Sequence, residues 1–309
     1  MMRTVPEPSA LAPTGNLSGL FVDLVVPLDT NGSILERDLI VHIQHMARAH
    51  TVNGVVILGS AAEYNRFDAA ERRRLIEIST ASVPEGFPCG IGIHATDPAS
   101  AVAEIAMAAE AGGGGGCLFV PEGSNAGDFV TTVAAESELF LLVDLGARQG
   151  SNLDLETLAA AASPERVEGI RTPTTDPDAL GQERSILEGR ASLVGAADGS
   201  SVISQLEAHV DSVMLSASNA FPELWGRCVA AALEGDWDRA HSTYEEKLIP
   251  LCAAMDVLGA ARHTLAIKSI LSLLTVFSGA TTRDDASPAN DEELQKMRNY
   301  LVGAGLMLG

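Results

Sequence analysis

Two arginines, one carboxylate and one hydroxyl stand just after apolar segments of this sequence, where a chain presents chemical groups to a ligand. Arg148 and Arg171 could clamp a small carboxylate or phosphate, because a guanidinium forms two parallel hydrogen bonds to such an anion. Ser60, followed by the small Ala61, would let a substrate approach the backbone and is a candidate proton carrier. Asp144 could act as a general base if its pKa were raised. These residues predict a site for a small carboxylate.

Each candidate also has a structural interpretation. Arg171 could pair with Asp144 or Glu168 and only hold the fold together, because the chain has 41 acidic residues against 20 lysines and arginines. Asp144 could equally be a solvated or salt-bridged acid. His94 and Tyr64 lie within reach of the same region, and both could serve packing alone. The Ser60 segment could be an ordinary tight turn.

No metal and no cofactor is predicted. Asp23, Asp144 and His94 could bind a metal in principle, but acids at strand ends are common. The four cysteines are far apart in sequence, without the CxxC spacing of zinc or redox sites. They are predicted to be reduced, buried thiols of a cytoplasmic protein: Cys89, Cys117, Cys228 and Cys252.

Charge and hydropathy exclude several classes of partner. The formal net charge of −21 argues against nucleic acid and anionic membrane surfaces, which would repel the chain. No run of about 18 apolar residues predicts a membrane span. The hydrophobic content of 46% and mean hydropathy of +0.17 allow a large core. The first 17 residues carry three prolines and no apolar core of a signal peptide, so a loose arm is predicted.

Apolar segments of strand length alternate with helical patterns eight times over about 220 residues. This alternation predicts an α/β fold, a (β/α)8 TIM barrel at residues 18–235. A doubly wound sheet is the alternative, disfavoured because no G-x-G-x-x-G follows the first strand. The predicted strands are 20–28, 54–58, 89–93, 117–121, 139–144, 167–171, 192–196 and 213–216.

The alternation stops after Gly235. Three helices are predicted at 237–256, 260–278 and 291–304, which form a C-terminal helical extension over residues 236–309. Within the barrel, Asp68 with Glu71 predicts a capping box, and Asp97 with Pro98 predicts another helix start. The five glycines from Gly112 to Gly116 end a helix where one would suffice.

The order of these segments resembles the dihydrodipicolinate synthase and N-acetylneuraminate lyase family over nearly the whole chain from Gly19. Several matching positions carry the resemblance, each in the family's order: Pro27 with Asn31-Gly32, Gly59 to Glu63, Asp68 to Arg72, Arg148 with Gly150, Asn219 with Pro222, and Lys268. The resemblance implies a class I aldolase, in which a lysine at the end of strand six forms a Schiff base with a 2-oxo acid and tyrosines move protons. It also implies a homo-oligomer, a dimer or a homotetramer.

The sequence departs from that pattern at the reacting positions. Arg171 stands at the place of the Schiff-base lysine, Val143-Asp144 at that of the Tyr-Asn motif, and Pro121-Glu122-Gly123 at that of Pro-Tyr-Tyr. A guanidinium stays protonated at any working pH, so it cannot form the imine. The chain has only three lysines, at 247, 268 and 296, so none lies on a predicted barrel strand.

Two hypotheses follow. The first is a divergent lyase-family enzyme that binds a small carboxylate through Arg148 and Arg171 and moves protons through Ser60 and Asp144 without an imine. The second is a non-catalytic relative, a pseudoenzyme with a binding or structural role. The second hypothesis would be favoured if side chains filled the end of the barrel where the strands terminate, or if protein acids neutralised the two arginines.

Overall fold

Eight parallel strands, each hydrogen-bonded to the next, close on themselves when β8 pairs with β1. A computed structural model describes residues 17–146, 153–196, 199–284 and 286–308. The (β/α)8 barrel and the C-terminal helices are therefore as predicted. The strands are β1 Gly19–Asp23, β2 Gly54–Ile57, β3 Cys89–Ile93, β4 Gly115–Phe119, β5 Leu141–Asp144, β6 Val167–Thr172, β7 Ser192–Gly195 and β8 Ser212–Leu215.

Helices follow the strands and form the outer layer. They are α1 Glu36–Arg48, α2 Ala69–Ser82, α3 Pro98–Glu110, α4 Ala126–Glu136, α5 Leu155–Ala161, α6 Pro177–Leu187, α7 Val202–Glu207 and α8 Pro222–Leu233. Both predicted starts are present: Asp68 and Glu71 form a reciprocal capping box on α2, and Asp97 accepts from the Ser100 N–H at α3.

Strand one is shorter than predicted. Residues 24–28 are apolar and buried, yet the ladder ends at Asp23. The reason is the local hydrogen bonding: the Val25 N–H donates to the Asn219 side chain at 3.2 Å, and Pro27 has no N–H to donate. The apolar run correctly indicated that these residues are buried, but the strand predicted from it was too long.

Alternate residues of the strands fill the barrel interior. Phe21, Val56, Cys117, Leu142, Val194 and Met214, with Leu17 below them, form one buried cluster. Leu17 was the last residue of the predicted arm, and its N–H donates to the Ser192 hydroxyl at 3.0 Å. Residues 1–16 of that arm lie outside the described residues.

Helix termination accounts for the first glycine of the run, and close packing against neighbouring side chains accounts for two others. Gly112 has a φ of +91°, the left-handed conformation of a helix end. A Cβ on Gly113 would lie 2.8 Å from the Ile91 side chain, and one on Gly116 would lie 2.9 Å from Leu141. Close packing of β4 against its neighbours therefore requires two further glycines.

The C-terminal extension contains α9 Trp237–Thr243, α10 Ile249–Asp256, α11 His263–Leu273 and α12 Asp291–Gly303, with a π-helical turn over Tyr244–Leu248 that joins α9 to α10. Within the described ranges no single helix is long and apolar enough to cross a membrane. The pair Trp237–Asp256 and Ala260–Leu273, bent by 90°, meets that length and composition only when taken together.

Candidate active site

The carboxyl ends of the strands bring three charged side chains to one mouth of the barrel. Asp23, Asp144 and Arg171 each lie two residues beyond an interior position of their strand, so strand alternation points them inward. For β6 that interior position is Gly169, where a Cβ would meet Leu17, Leu142 and Val194 of the interior cluster. We call the region around these three residues the barrel mouth.

Arg171 and Asp144 are neighbours on adjacent strands and form a salt bridge. Arg171 Nη1 donates to Asp144 Oδ2 at 2.7 Å, with the two side chains 8% and 20% exposed. Asp144 Oδ1 accepts from the Gly146 N–H at 2.9 Å. The arginine at the end of β6 is therefore neutralised by a protein acid, the structural alternative weighed above.

The Ser60 turn is occupied by another protein carboxylate. Asp23 Oδ2 accepts from the Ser60 hydroxyl at 2.7 Å and from the Ala61 N–H at 3.2 Å. Gly59 makes room for it, because a Cβ there would lie 2.1 Å from Asp23 Oδ1. The two groups predicted to bind a substrate thus hold the buried end of β1.

An aromatic stack lies across the side of the mouth between β2 and β4. The ring of His94 is stacked between Tyr64 and Phe119, with centroids 4.2 and 4.1 Å away. Its Nε2 donates to the Leu58 carbonyl at 2.9 Å. Burial lowers the pKa of His94 to about 4. His94 is therefore neutral near pH 7 and packed on both faces.

Tyr64 does not direct its hydroxyl toward Arg171. It donates to Glu104 Oε1 at 2.5 Å, and Glu104 Oε2 accepts from the His94 backbone N–H at 3.2 Å. Burial, and then the bond to Glu104, raise the pKa of Tyr64 above its usual range. The phenol is consequently a poor proton donor to a ligand, and packing is the interpretation that this geometry favours.

Lys268, the lysine near this region, belongs to the extension rather than to a strand. It has no exposed side-chain surface, forms an ion pair with Glu63, and donates to the Thr281 carbonyl at 3.0 Å. Burial lowers its pKa, against the opposing effect of Glu63. The amine thus joins the Ser60 turn to the extension.

A small pocket of about 250 Å³ opens between the Ser60 turn and the extension. Its lining includes Ser60, Tyr64, His94, Thr264 and Asp284, whereas Arg171 and Asp144 do not line it. Among the described residues, no group of three or more histidine, cysteine, aspartate or glutamate side chains could hold a metal ion.

The structure thus brings Asp144 and Arg171 together and places Ser60 and Ala61 against Asp23. Arg148 lies outside the described residues. Sequence reasoning had not identified Asp23 as the partner of Ser60, nor Phe119 as part of the mouth. The position of Asp23 at a strand end, two residues after an interior phenylalanine, was the available signal.

Comparison with known proteins agrees with this architecture. The family model described as "Dihydrodipicolinate synthetase family" matches residues 16–303. The chain belongs to this family. A relative from Kineococcus radiotolerans, a 4-hydroxy-tetrahydrodipicolinate synthase, is 26% identical over 315 residues, covering 98% of each chain.

Solved structures of the family share the fold. The 4-hydroxy-tetrahydrodipicolinate synthase of Methylacidiphilum fumariolicum has a TM-score of 0.84 at 20% identity, covering 94% of this chain and 97% of that one. N-acetylneuraminate lyase from Fusobacterium nucleatum has a TM-score of 0.81 at 18% identity, covering 92% and 98%. Nearly the whole length of each of these two structures therefore has a counterpart in the barrel and extension of this chain.

Proposed function

We propose that this family member binds a small carboxylate at the barrel mouth and forms no Schiff base. The observation that supports the proposal is the buried guanidinium of Arg171, which lies inside the barrel at the end of β6. A guanidinium recognises a carboxylate but, unlike a desolvated amine, does not lose a proton to become a nucleophile. The function inferred is anion binding, with any chemistry proceeding without an imine.

In this proposal the ligand carboxylate replaces Asp144 on Arg171. Asp144 is the more exposed partner, at 20%, and it lies at the start of a loop. The exchange keeps one negative charge beside the guanidinium, so no charge is left buried alone. Asp144, once released, is the group placed to accept a proton, and Ser60 is the group placed to relay one to Asp23.

Thermal unfolding with a panel of carboxylates tests this binding. A ligand at 100 times its dissociation constant adds about 2.7 kcal/mol to the unfolding free energy. Asp144→Asn should strengthen binding because it frees the guanidinium, whereas Arg171→Gln should abolish it. Asp238→Asn, at an exposed position of α9, controls for the lost charge. Equal affinities in all four proteins would refute a site at Arg171.

Trapping with borohydride tests the absence of the imine. Incubated with pyruvate and borohydride, the native protein should show no adduct by mass spectrometry. Arg171→Lys restores an amine at the end of β6 and should give one, provided that pyruvate reaches the mouth. An adduct on the native chain that is lost in Lys268→Met would contradict the proposal, because it would place an imine on the lysine near the mouth.

A non-catalytic relative, a pseudoenzyme without a ligand at the mouth, is the second candidate. It is favoured by the salt bridge of Arg171 with Asp144, by the carboxylate of Asp23, which occupies the Ser60 and Ala61 donors, and by the stacked rings at the mouth. Absence of any carboxylate-dependent shift in the native and Asp144→Asn proteins, together with no adduct on Arg171→Lys, would select this candidate.

The proposal includes a homo-oligomer in the cytoplasm. Its support is the family's assembly and four apolar side chains exposed on helices: Val41 at 53%, Leu233 at 39%, Ile249 at 43% and Tyr300 at 46%. The four cysteines are free and buried, which suits a reducing compartment.

A further inference from the structure

A second cavity lies at the opposite end of the barrel from the mouth. Its walls include Ser18, just before β1, Ser192 at the start of β7, and Asp211, just before β8. Because all strands are parallel, these residues mark the amino ends of the strands. The cavity, called the basal groove below, has a volume of about 880 Å³, against about 250 Å³ for the pocket at the mouth.

Three basic side chains from two helix–turn segments line the basal groove. Arg184 belongs to α6, Arg190 follows α6, and His209 follows α7. All three are exposed. Among the described residues, no ion pair or side-chain hydrogen bond engages either guanidinium, although many other arginines of this acidic chain are paired.

The two acids of the basal groove, Asp211 and Glu188, form no ion pair with these arginines in the described part of the chain. Asp211 Oδ2 accepts from the Leu193 N–H at 2.7 Å, so that carboxylate fixes the start of β8. Glu188 lies on the exposed turn between the two arginines in sequence and forms no ion pair in the described part of the chain. The two carboxylates thus match the two arginines in formal charge, but the guanidinium donors stay unengaged among the residues that the structure describes.

The floor of the basal groove is apolar. Leu233 lines it and is 39% exposed, and the buried Leu206 and Val210 also belong to its wall. A ligand that fits both features carries an anionic group for the arginines and an apolar body for the floor. Guanidinium groups match the oxygens of a phosphate especially well.

We propose that the basal groove binds a small organic phosphate, with Arg184 and Arg190 on the phosphate and the apolar body against Leu233. The site is separate from the barrel mouth and does not depend on the function proposed there. Its place at the amino ends of β7 and β8 suits an effector or a storage ligand rather than a reacting substrate, because reactions in this fold occur at the opposite face.

Titration of the full-length protein with phenyl phosphate and with inorganic phosphate, at constant ionic strength, tests the proposal. Phenyl phosphate should bind roughly tenfold more tightly than inorganic phosphate, because the ring buries apolar surface. The double variant Arg184→Gln/Arg190→Gln should weaken phenyl phosphate at least about tenfold.

A matched control separates a site from general attraction. Arg37→Gln/Arg48→Gln removes two exposed arginines of α1, outside the basal groove, and should keep the native affinity. Circular dichroism of both double variants checks folding. Equal weakening in the two double variants, equal affinity for both phosphates, or no binding to the native protein would each overturn the proposal.

Discussion

Lys268 is a charged side chain without exposed surface, and its ion pair with Glu63 is buried as well. Removal of one partner leaves a charge in the interior, which typically costs about 3–5 kcal/mol. We therefore expect Lys268→Met to lower the unfolding free energy by that amount in urea denaturation. The double variant Lys268→Met/Glu63→Gln should recover part of the loss.

Lys296 provides the control for this prediction. It forms an exposed i,i+4 pair with Glu292, and such pairs contribute little because solvent screens them. Lys296→Met should change stability hardly at all. If Lys268→Met were no more destabilising than Lys296→Met, the buried ion pair would have no structural role.

The lowered pKa of His94 makes the unfolding free energy depend on pH. Burial lowers the pKa of His94 to about 4 from an ordinary 6.5, so below pH 6.5 the unfolded chain binds a proton that the folded chain does not. Stability should therefore fall as the pH drops from 6.5 toward 4. His42, buried on α1, has a pKa lowered to about 4 and acts in the same direction.

Urea denaturation at several pH values checks this slope. In His94→Phe, which keeps an aromatic ring in the stack, the slope between pH 6.5 and 4.5 should be shallower by up to about 1.4 kcal/mol per pH unit. Glu71, whose pKa its bond to Arg283 lowers to about 2, loses its contribution only below pH 4.5. An unchanged slope in His94→Phe would contradict the prediction.

At the scale of elements, Arg283 fastens the extension to the barrel. Its guanidinium donates to both oxygens of Glu71 at 2.6 and 2.8 Å and to the carbonyls of Gly32 and Arg66 at 2.8 Å. It also lies 4.5 Å from the ring centroid of Phe67. One side chain thus joins the loop after β1, the start of α2 and residues 279–284.

We expect Arg283→Gln to loosen residues 279–284 while the barrel stays folded. Hydrogen bonds to a charged group are each worth about 1.5–3 kcal/mol, so amide exchange in this segment should accelerate about tenfold or more. Hydrogen–deuterium exchange measured by mass spectrometry checks it. Arg239→Gln, which removes an exposed pair with Glu234, should leave the segment protected.

Local signals in the sequence predicted local structure well. The capping box of α2 joins residues three apart, and β3 coincides with its predicted bounds. Contacts between distant residues were not accessible in this way: Glu71 and Arg283 are 212 residues apart, and Asp23 and Ser60 are 37 apart. At the mouth, the pair of Arg171 with Asp144 was among the alternatives because both residues end adjacent predicted strands, whereas the pair of Ser60 with Asp23 was not identified.

For the whole molecule, the net charge of −21 predicts how assembly responds to salt. Like-charged subunits repel one another, and salt screens this repulsion over a Debye length of about 10 Å at about 0.1 M. We expect the proposed homo-oligomer to dissociate more readily at about 0.01 M salt than at about 0.5 M salt. Sedimentation equilibrium measures this directly, and tighter association at low salt would mean that attractive ion pairs dominate the interface.

The carboxylate of Asp23 has a consequence for any search for ligands. Because it is attached to the chain beside the Ser60 and Ala61 donors, it acts as a tethered ligand whose effective concentration is at least of millimolar order. A dissolved carboxylate reaches those donors only by outcompeting it, so free ligands would look weak even at an intact site. Asp23→Ala, which removes the tethered acceptor, would unmask the intrinsic affinity of the turn.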